Sequence, residues 1–275
     1  MIETELAGNP VVENSPRLGL DDRFPFLCDK GLSCFTRCCH DVSILLTPYD
    51  VLRMKQALKL DSSEFLDTYG LVMQSKEKGI PVVFLNMEGE GRNCPFVSEQ
   101  GCGIYAHRPW SCRMYPLGLA EPKDRAQADQ RFYFVVREDI CQGHSAAREI
   151  TVREWLADQH IEMFEAMENS FRNLMANPGW QDPEVLTPSK MAMFYMAAYD
   201  LDRFRRFVFD TKFLDFFEVD EARIEAIRTD DEELLEFGFD WLGFTLFHQK
   251  RMKLKKAAAE RVEAKQTAGE TAGRG

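Results

Sequence analysis

Residues 142–275 contain no cysteine, although the chain of 275 residues has 8 in all. Nor does any stretch approach the roughly 18 uninterrupted apolar residues of a membrane helix, so no membrane partner is expected. The first residues, MIETELAGNPVVENSPRLGLDDRF, have neither a basic start nor an apolar middle. They do not read as a secretory signal, and a cytoplasmic location is expected. No GxGxxG opens a helix after a strand, and neither GxxxxGK[ST] nor HExxH occurs, which leaves nucleotide and zinc-protease chemistry without support. Basic residues are outnumbered, 34 Lys and Arg against 45 Asp and Glu, for a formal charge of -11. That balance argues against a protein that holds nucleic acid through phosphate contacts. With 45% hydrophobic and 29% charged residues, the chain is not disordered throughout and is long enough for one large or two smaller domains.

What is present is a concentration of thiols: Cys28, Cys34, Cys38, Cys39, Cys94, Cys102, Cys112 and Cys141. In a reducing compartment, clustered cysteines point to a metal or redox centre before disulfides. The first group is CDKGLSCFTRCC, residues 28–39, and the second is CPFVSEQGCGIYAHRPWSC, residues 94–112. Adjacent residues in an extended segment face opposite sides, so Cys38 and Cys39 would suit different irons of one cluster or two separate metals, while in a turn they could converge. Gly31 and Ser33 supply turn chemistry, and compact loops of this kind turn backbone N–H groups toward sulfur.

The stretches CFTRCCHDVSILLTPYDVLRM (34–54), NCPFVSEQGCGIYAHRPWSCRMYPLG (93–118) and ICQGH (140–144) resemble the YkgJ-like, or CxxCxxCC, cysteine-cluster family, described as zinc- or iron-chelating domains. The resemblance covers residues 24 to 145. It implies a zinc or iron site made from the cysteines, and eight thiols with a Cys-Cys pair are more easily used by an iron-sulfur cluster than by a four-ligand zinc. The family opening is C-x2-C-x2-C-C, whereas five and three residues separate the first thiols here. Ligation by Cys28 is therefore less directly implied than by Cys38 or Cys39. The cysteine region is also similar to flagellin lysine-N-methylases, which pair an iron-sulfur cluster with S-adenosylmethionine. That second likeness implies an enzyme alternative, a methylase-like or redox protein with a protein substrate.

Around the thiols, LTPYDVLRMKQAL (46–58) predicts a helix with Thr47 as N-cap, Pro48 at the first helical position and Asp50 in the first turn. DSSEFLDTYGLVM (61–73) predicts a second helix capped by Ser62 or Ser63. IPVVFLN (80–86) and RFYFVVRED (131–139) read as strands. Helical periodicity starts at Thr151 and runs to Pro178–Gly179, then resumes over 187–210 with Thr187 or Ser189 as cap. Residues 215–240 hold 11 acids and 2 bases, and residues 250–265 hold 7 bases and 2 acids. The two stretches read as solvated helical faces that pair with each other.

The expected fold class is α+β. A small cysteine-rich metal-binding domain of short helices and a small sheet (24–145) would be followed by a mostly helical domain (150–265), with disordered ends at 1–23 and 266–275. Arg108 and Arg113 flank Cys112 and are candidates for offsetting thiolate charge or binding a cofactor carboxylate or phosphate. His40, His107 and His144 are candidate nitrogen ligands, whereas His160 and His248 read as core or surface residues of helices.

Overall fold

The computed structural model describes residues 15–121, 131–258 and 260. The fold is α+β: a cysteine-rich N-terminal domain with small sheets, and a helical C-terminal region. The chain divides into two compact units. One comprises the chain up to Leu58, Asp67–Val72 and Val82–Glu168; the other comprises Lys59–Leu66, Met73–Pro81 and the chain from Asn169. The division falls after Glu168 rather than between 145 and 150, and the core of the first unit gives the reason. Strand β1 (Arg23–Pro25) receives its antiparallel partner from far along the chain, pairing Phe24 with Ile150. Phe24 and Phe26 then pack with Met114, Leu117, Tyr133, Val152, Trp155, Leu156 and Ile161 in one apolar cluster. Apolar burial, not the last cysteine, sets where this unit stops. Residues 15–23, expected inside a disordered end, are partly tied down: Leu18 and Tyr133 exchange backbone hydrogen bonds of 2.7 and 2.9 Å.

Further elements follow along the chain. Helix α1 (Pro48–Leu58) starts where the sequence predicts, because Thr47 Oγ1 accepts the Asp50 N–H at 3.1 Å and Asp50 Oδ2 accepts the Thr47 N–H at 2.9 Å. Helix α2 (Ser62–Tyr69) is capped by Asp61, whose carboxylate accepts the Ser63 N–H at 2.8 Å; Ser62 and Ser63 themselves lie inside the helix. The helix also ends early. Gly70–Gln74 is strand β3, because the Tyr69 carbonyl accepts the Asn86 N–H at 2.8 Å and the chain turns to pair with its hairpin partner. That partner, β4 (Pro81–Leu85), lies between β3 and β2 (Leu45–Leu46). The two predicted strands do not pair with each other: β8 (Phe132–Val135) is antiparallel to β7 (Leu117–Ala120). A small hairpin joins β5 (Val97–Ser98) to β6 (Gly101–Cys102), and helix α3 (Trp110–Met114) follows.

The periodic stretch after Thr151 is two helices rather than one. Helix α4 (Val152–Asp158) starts with a capping box between Thr151 and Glu154, and α5 (Ile161–Met175) begins beyond His160, which adopts a left-handed φ of 54°. In the second unit, 187–210 is likewise divided into α6 (Pro188–Ala198) and α7 (Leu201–Asp210). Asp200 between them is buried and accepts both the Ser62 and Ser63 hydroxyls, at 2.7 and 2.8 Å. After α8 (Phe213–Phe216), helices α9 (Glu221–Thr229) and α10 (Asp231–Phe247) are capped by Asp220 and Asp230. The acids Asp231, Glu232 and Glu233 thus occupy the first turn of α10, where the helix dipole favours them. His248 ends α10 in a left-handed conformation. Close packing of α6 on α10 needs Gly238, where a Cβ would come within 2.8 Å of the Ala197 carbonyl. Arg251 pairs with Asp240 at 3.5 Å, so the basic stretch meets the acidic one at that point. The expected disordered tail, 266–275, lies outside the described residues. Among the described residues, no helix is long and apolar enough to cross a membrane.

Candidate metal centre

All eight cysteines are unpaired thiols, and all belong to the first unit. The first loop is a succession of tight turns. Asp29 Oδ1 accepts the Gly31 N–H at 2.7 Å, and backbone bonds then run from Leu32 to Asp29, Phe35 to Leu32, Arg37 to Cys34 and Cys39 to Thr36. Thr36 and Asp41 take φ of 67° and 47°, conformations that L residues adopt reluctantly. The loop is zipped to the second cysteine group: Cys94 N–H donates to the Cys39 carbonyl at 2.8 Å, Asp41 N–H to Arg92 at 2.9 Å, and His40 Nδ1 lies 2.6 Å from Asn93 Oδ1. Gly101, at φ 110°, makes the turn that sets Cys102 opposite Val97, and a Cβ there would press on the Phe35 ring at 3.2 Å. At the far end, Leu27 N–H bonds to the Gly143 carbonyl, and Gln142 N–H donates to Cys34 Sγ at 3.3 Å.

The thiols influence one another across both loops. Partial burial, then the charges of Cys38, Cys34 and Cys141, push the Cys28 thiol up to about 11. The interaction between the thiols of Cys38 and Cys39 draws Cys38 down to about 7 and pushes Cys39 up, with burial and the charges of Cys38, Cys94 and Cys112 adding to the latter. Burial raises Cys94, against the backbone amides of Phe96 and Val97. It also raises Cys102, against the Ile104 amide and the Arg108 cation. Cys112 is pushed up to about 12 by burial, followed by Cys94, Asp50, Cys102 and Cys38. The charge of Cys38 acts on Cys28, Cys39, Cys102 and Cys112 alike, so the first loop and the 94–112 segment bring their thiols within electrostatic reach of one another. Among the described residues, no three Cys, His, Asp or Glu side chains converge as they stand around the position of a single ion. By donor chemistry, eight soft thiolates suit zinc or iron.

The predicted auxiliary residues are placed differently. Arg113 donates to the carbonyls of Arg108, Gln159 and Ala106 at 2.9, 3.0 and 2.5 Å, and its guanidinium lies 4.4 Å from the Phe164 ring centre. Arg108 stacks 3.7 Å over Tyr105 and bonds the Tyr105 carbonyl and Gln159. Both side chains are buried. These bonds cross-link the 105–113 segment, and the Arg108 cation favours the Cys102 thiolate. His40 is exposed and engaged with Asn93. Both ring nitrogens of His144 are buried without a hydrogen-bond partner, the ring lying 5.4 Å from Phe26 and 6.4 Å from Tyr115. His107 Nδ1 is similarly unpartnered. Burial lowers both histidines, which favours neutral imidazole.

The sequence signalled neither Gln142 as a donor to sulfur nor Asp50 as more than a helix cap. Asp50 Oδ1 accepts the Trp110 N–H at 2.8 Å, joining the LTPYD helix start to the segment that carries Cys112. Only their three-dimensional proximity reveals that link.

Residues 27–142 match a family model, CxxCxxCC, described as "Putative zinc- or iron-chelating domain". No curated protein matches the chain, and no solved structure does.

Proposed function

We propose that the chain, whose residues 27–142 match the CxxCxxCC model of a zinc- or iron-chelating domain, binds metal through Cys28, Cys34, Cys38, Cys39, Cys94, Cys102, Cys112 and Cys141, and that the metal is an iron-sulfur cluster rather than zinc. The observation that carries the reading is the zipping of the two cysteine loops, Cys94 N–H to the Cys39 carbonyl at 2.8 Å and Asp41 N–H to the Arg92 carbonyl at 2.9 Å, which lays the adjacent pair Cys38–Cys39 against the segment that carries Cys94, Cys102 and Cys112. A zinc ion bound by four thiolates at about 2.3 Å holds its sulfurs less than 4 Å apart, which follows from tetrahedral geometry. A cluster interposes its own irons and sulfides and leaves the cysteine sulfurs farther apart. Eight soft thiolates with an adjacent pair among them exceed the four of a single zinc shell and support the wider arrangement. When bound, a cluster would supply one-electron chemistry and a cross-link between loops; the chain supplies thiolates, the Gln142 N–H on Cys34 and the Arg108 charge beside Cys102.

The test is iron, sulfide and zinc analysis with a visible spectrum on protein purified without air, followed by serine substitution. Serine replaces a soft thiolate by a hydroxyl that stays protonated, so Cys38→Ser, Cys39→Ser, Cys94→Ser, Cys102→Ser and Cys112→Ser should each lose metal. Cys28→Ser and Cys141→Ser should reduce metal content too, Cys28→Ser the less. Zinc at wild-type stoichiometry without iron or sulfide would overturn the cluster. Unchanged metal and spectrum in both Cys38→Ser and Cys39→Ser would overturn the ligand assignment.

A further inference from the structure

Helix α3 has five residues, and the residue before it, Pro109, makes no side-chain cap hydrogen bond. Its first N–H, that of Trp110, is instead received by Asp50, a residue 60 positions earlier in the chain. Asp50 is fully buried, at 0% exposure, and its other oxygen holds the Thr47 N–H. A buried carboxylate costs several kcal/mol in desolvation unless backbone donors and nearby charge offset it. Its two oxygens thus join two helix starts: Oδ2 completes the reciprocal cap of α1 with Thr47, and Oδ1 receives the first N–H of α3.

We propose that Asp50 is a positioning residue for Cys112: by receiving the Trp110 N–H it fixes where α3 begins, and so sets the thiol two residues on. The inference rests on the metal-binding reading and names the residue that arranges one of its ligands. Groups that orient ligands in this way typically change metal affinity by about 10–100-fold when removed.

The experiment uses the full chain purified without air, as wild type, Asp50→Ala, Asp50→Asn and Thr47→Ala. Two quantities are read: the rate of metal release to a chelator, and the rate of Cys112 alkylation by iodoacetamide in the metal-free protein, mapped by mass spectrometry. Asp50→Ala should release metal about tenfold faster or more, with Cys112 alkylated faster and Cys28 unchanged. Asp50→Asn keeps one acceptor oxygen for the Trp110 N–H and should fall between; it carries the comparison if Asp50→Ala fails to fold. Thr47→Ala weakens the start of α1 while sparing the bond to Trp110, so its melting temperature should fall while metal release stays at the wild-type rate. Wild-type release and alkylation rates in both Asp50 variants, or equal metal loss in Thr47→Ala, would overturn the assignment. If the wild-type protein holds no metal, the metal reading fails by itself, and the alkylation of Cys112 alone decides whether Asp50 places it.

Discussion

The two units of this chain are held by different means. In the helical unit, Phe204 is completely buried and has ring neighbours at Phe207, Phe213, Phe237 and Trp241, with centroids 5.4 to 6.5 Å away. In the cysteine-bearing unit the apolar cluster gathers around Phe24, Phe26 and Trp155, while segments 28–41 and 92–112 are built mainly from turns, a two-residue-per-strand hairpin and a five-residue helix. Of the eight thiols only Cys34 is buried outright. Regular structure and ring packing stabilise the first arrangement without help; the second has loops whose apolar burial is small for the backbone it must order. That contrast is what metal ligation would offset, since binding free energy is folding free energy where the site forms only in the folded state.

The largest expected effect follows directly. Removing metal with a chelator under reducing conditions should greatly increase hydrogen exchange in peptides from 28–44 and 88–112, while peptides from 201–247 change little. Uniform protection across both units after complete metal removal would break the comparison, because the loops would then be shown to hold by packing alone.

The reverse perturbation should follow the opposite pattern. Phe204→Ala removes a fully buried ring from the aromatic cluster and should destabilise the helical unit by about 3–5 kcal/mol. Thermal denaturation followed by circular dichroism would show the loss, and metal content should stay at the wild-type value. Simultaneous loss of metal would mean that the cysteine loops depend on the aromatic core, and the contrast between the units would have to be withdrawn.

How far the sequence made this contrast legible depends on the range over which each signal acts. The helix start at Thr47–Pro48 was legible because cap, proline and first-turn acid are neighbours in sequence. The strand at 81–85 was legible from its β-branched run, and the thiols from their spacing. Ser62 and Ser63 drew attention as caps, yet Asp61 performs that role, since their hydroxyls are used by Asp200, more than 130 positions away. Residues 70–74 could not be told from the end of a helix, because the hairpin partner at 81–85 decides their conformation. The breaks at His160 and Asp200 are invisible to a periodicity that continues through them. The approach of the distant cysteine segments to one another was not legible, because it depends on loop closure by the Cys94–Cys39 and Leu27–Gly143 backbone bonds.

The smallest expected effect sharpens the comparison through pH. In the helical unit, burial holds the Glu236 carboxyl above its ordinary 4.5, with Asp240 and Glu233 acting in the same direction and the Ser170 hydroxyl opposing it. The folded state thus binds this proton more tightly than the unfolded chain, so the protonated acid favours folding. That contribution is fully present below pH 4.5 and is lost as pH rises through the folded-state value. Glu236→Gln has no proton to lose and should lack this dependence. The melting temperature of the variant minus that of the wild type, measured on metal-free protein, should therefore become more positive between pH 4.5 and pH 7. A difference that stays flat or turns negative over that range would show that ionised Glu236 is accommodated without cost. The helical unit would then owe nothing to the exclusion of charge from its interior.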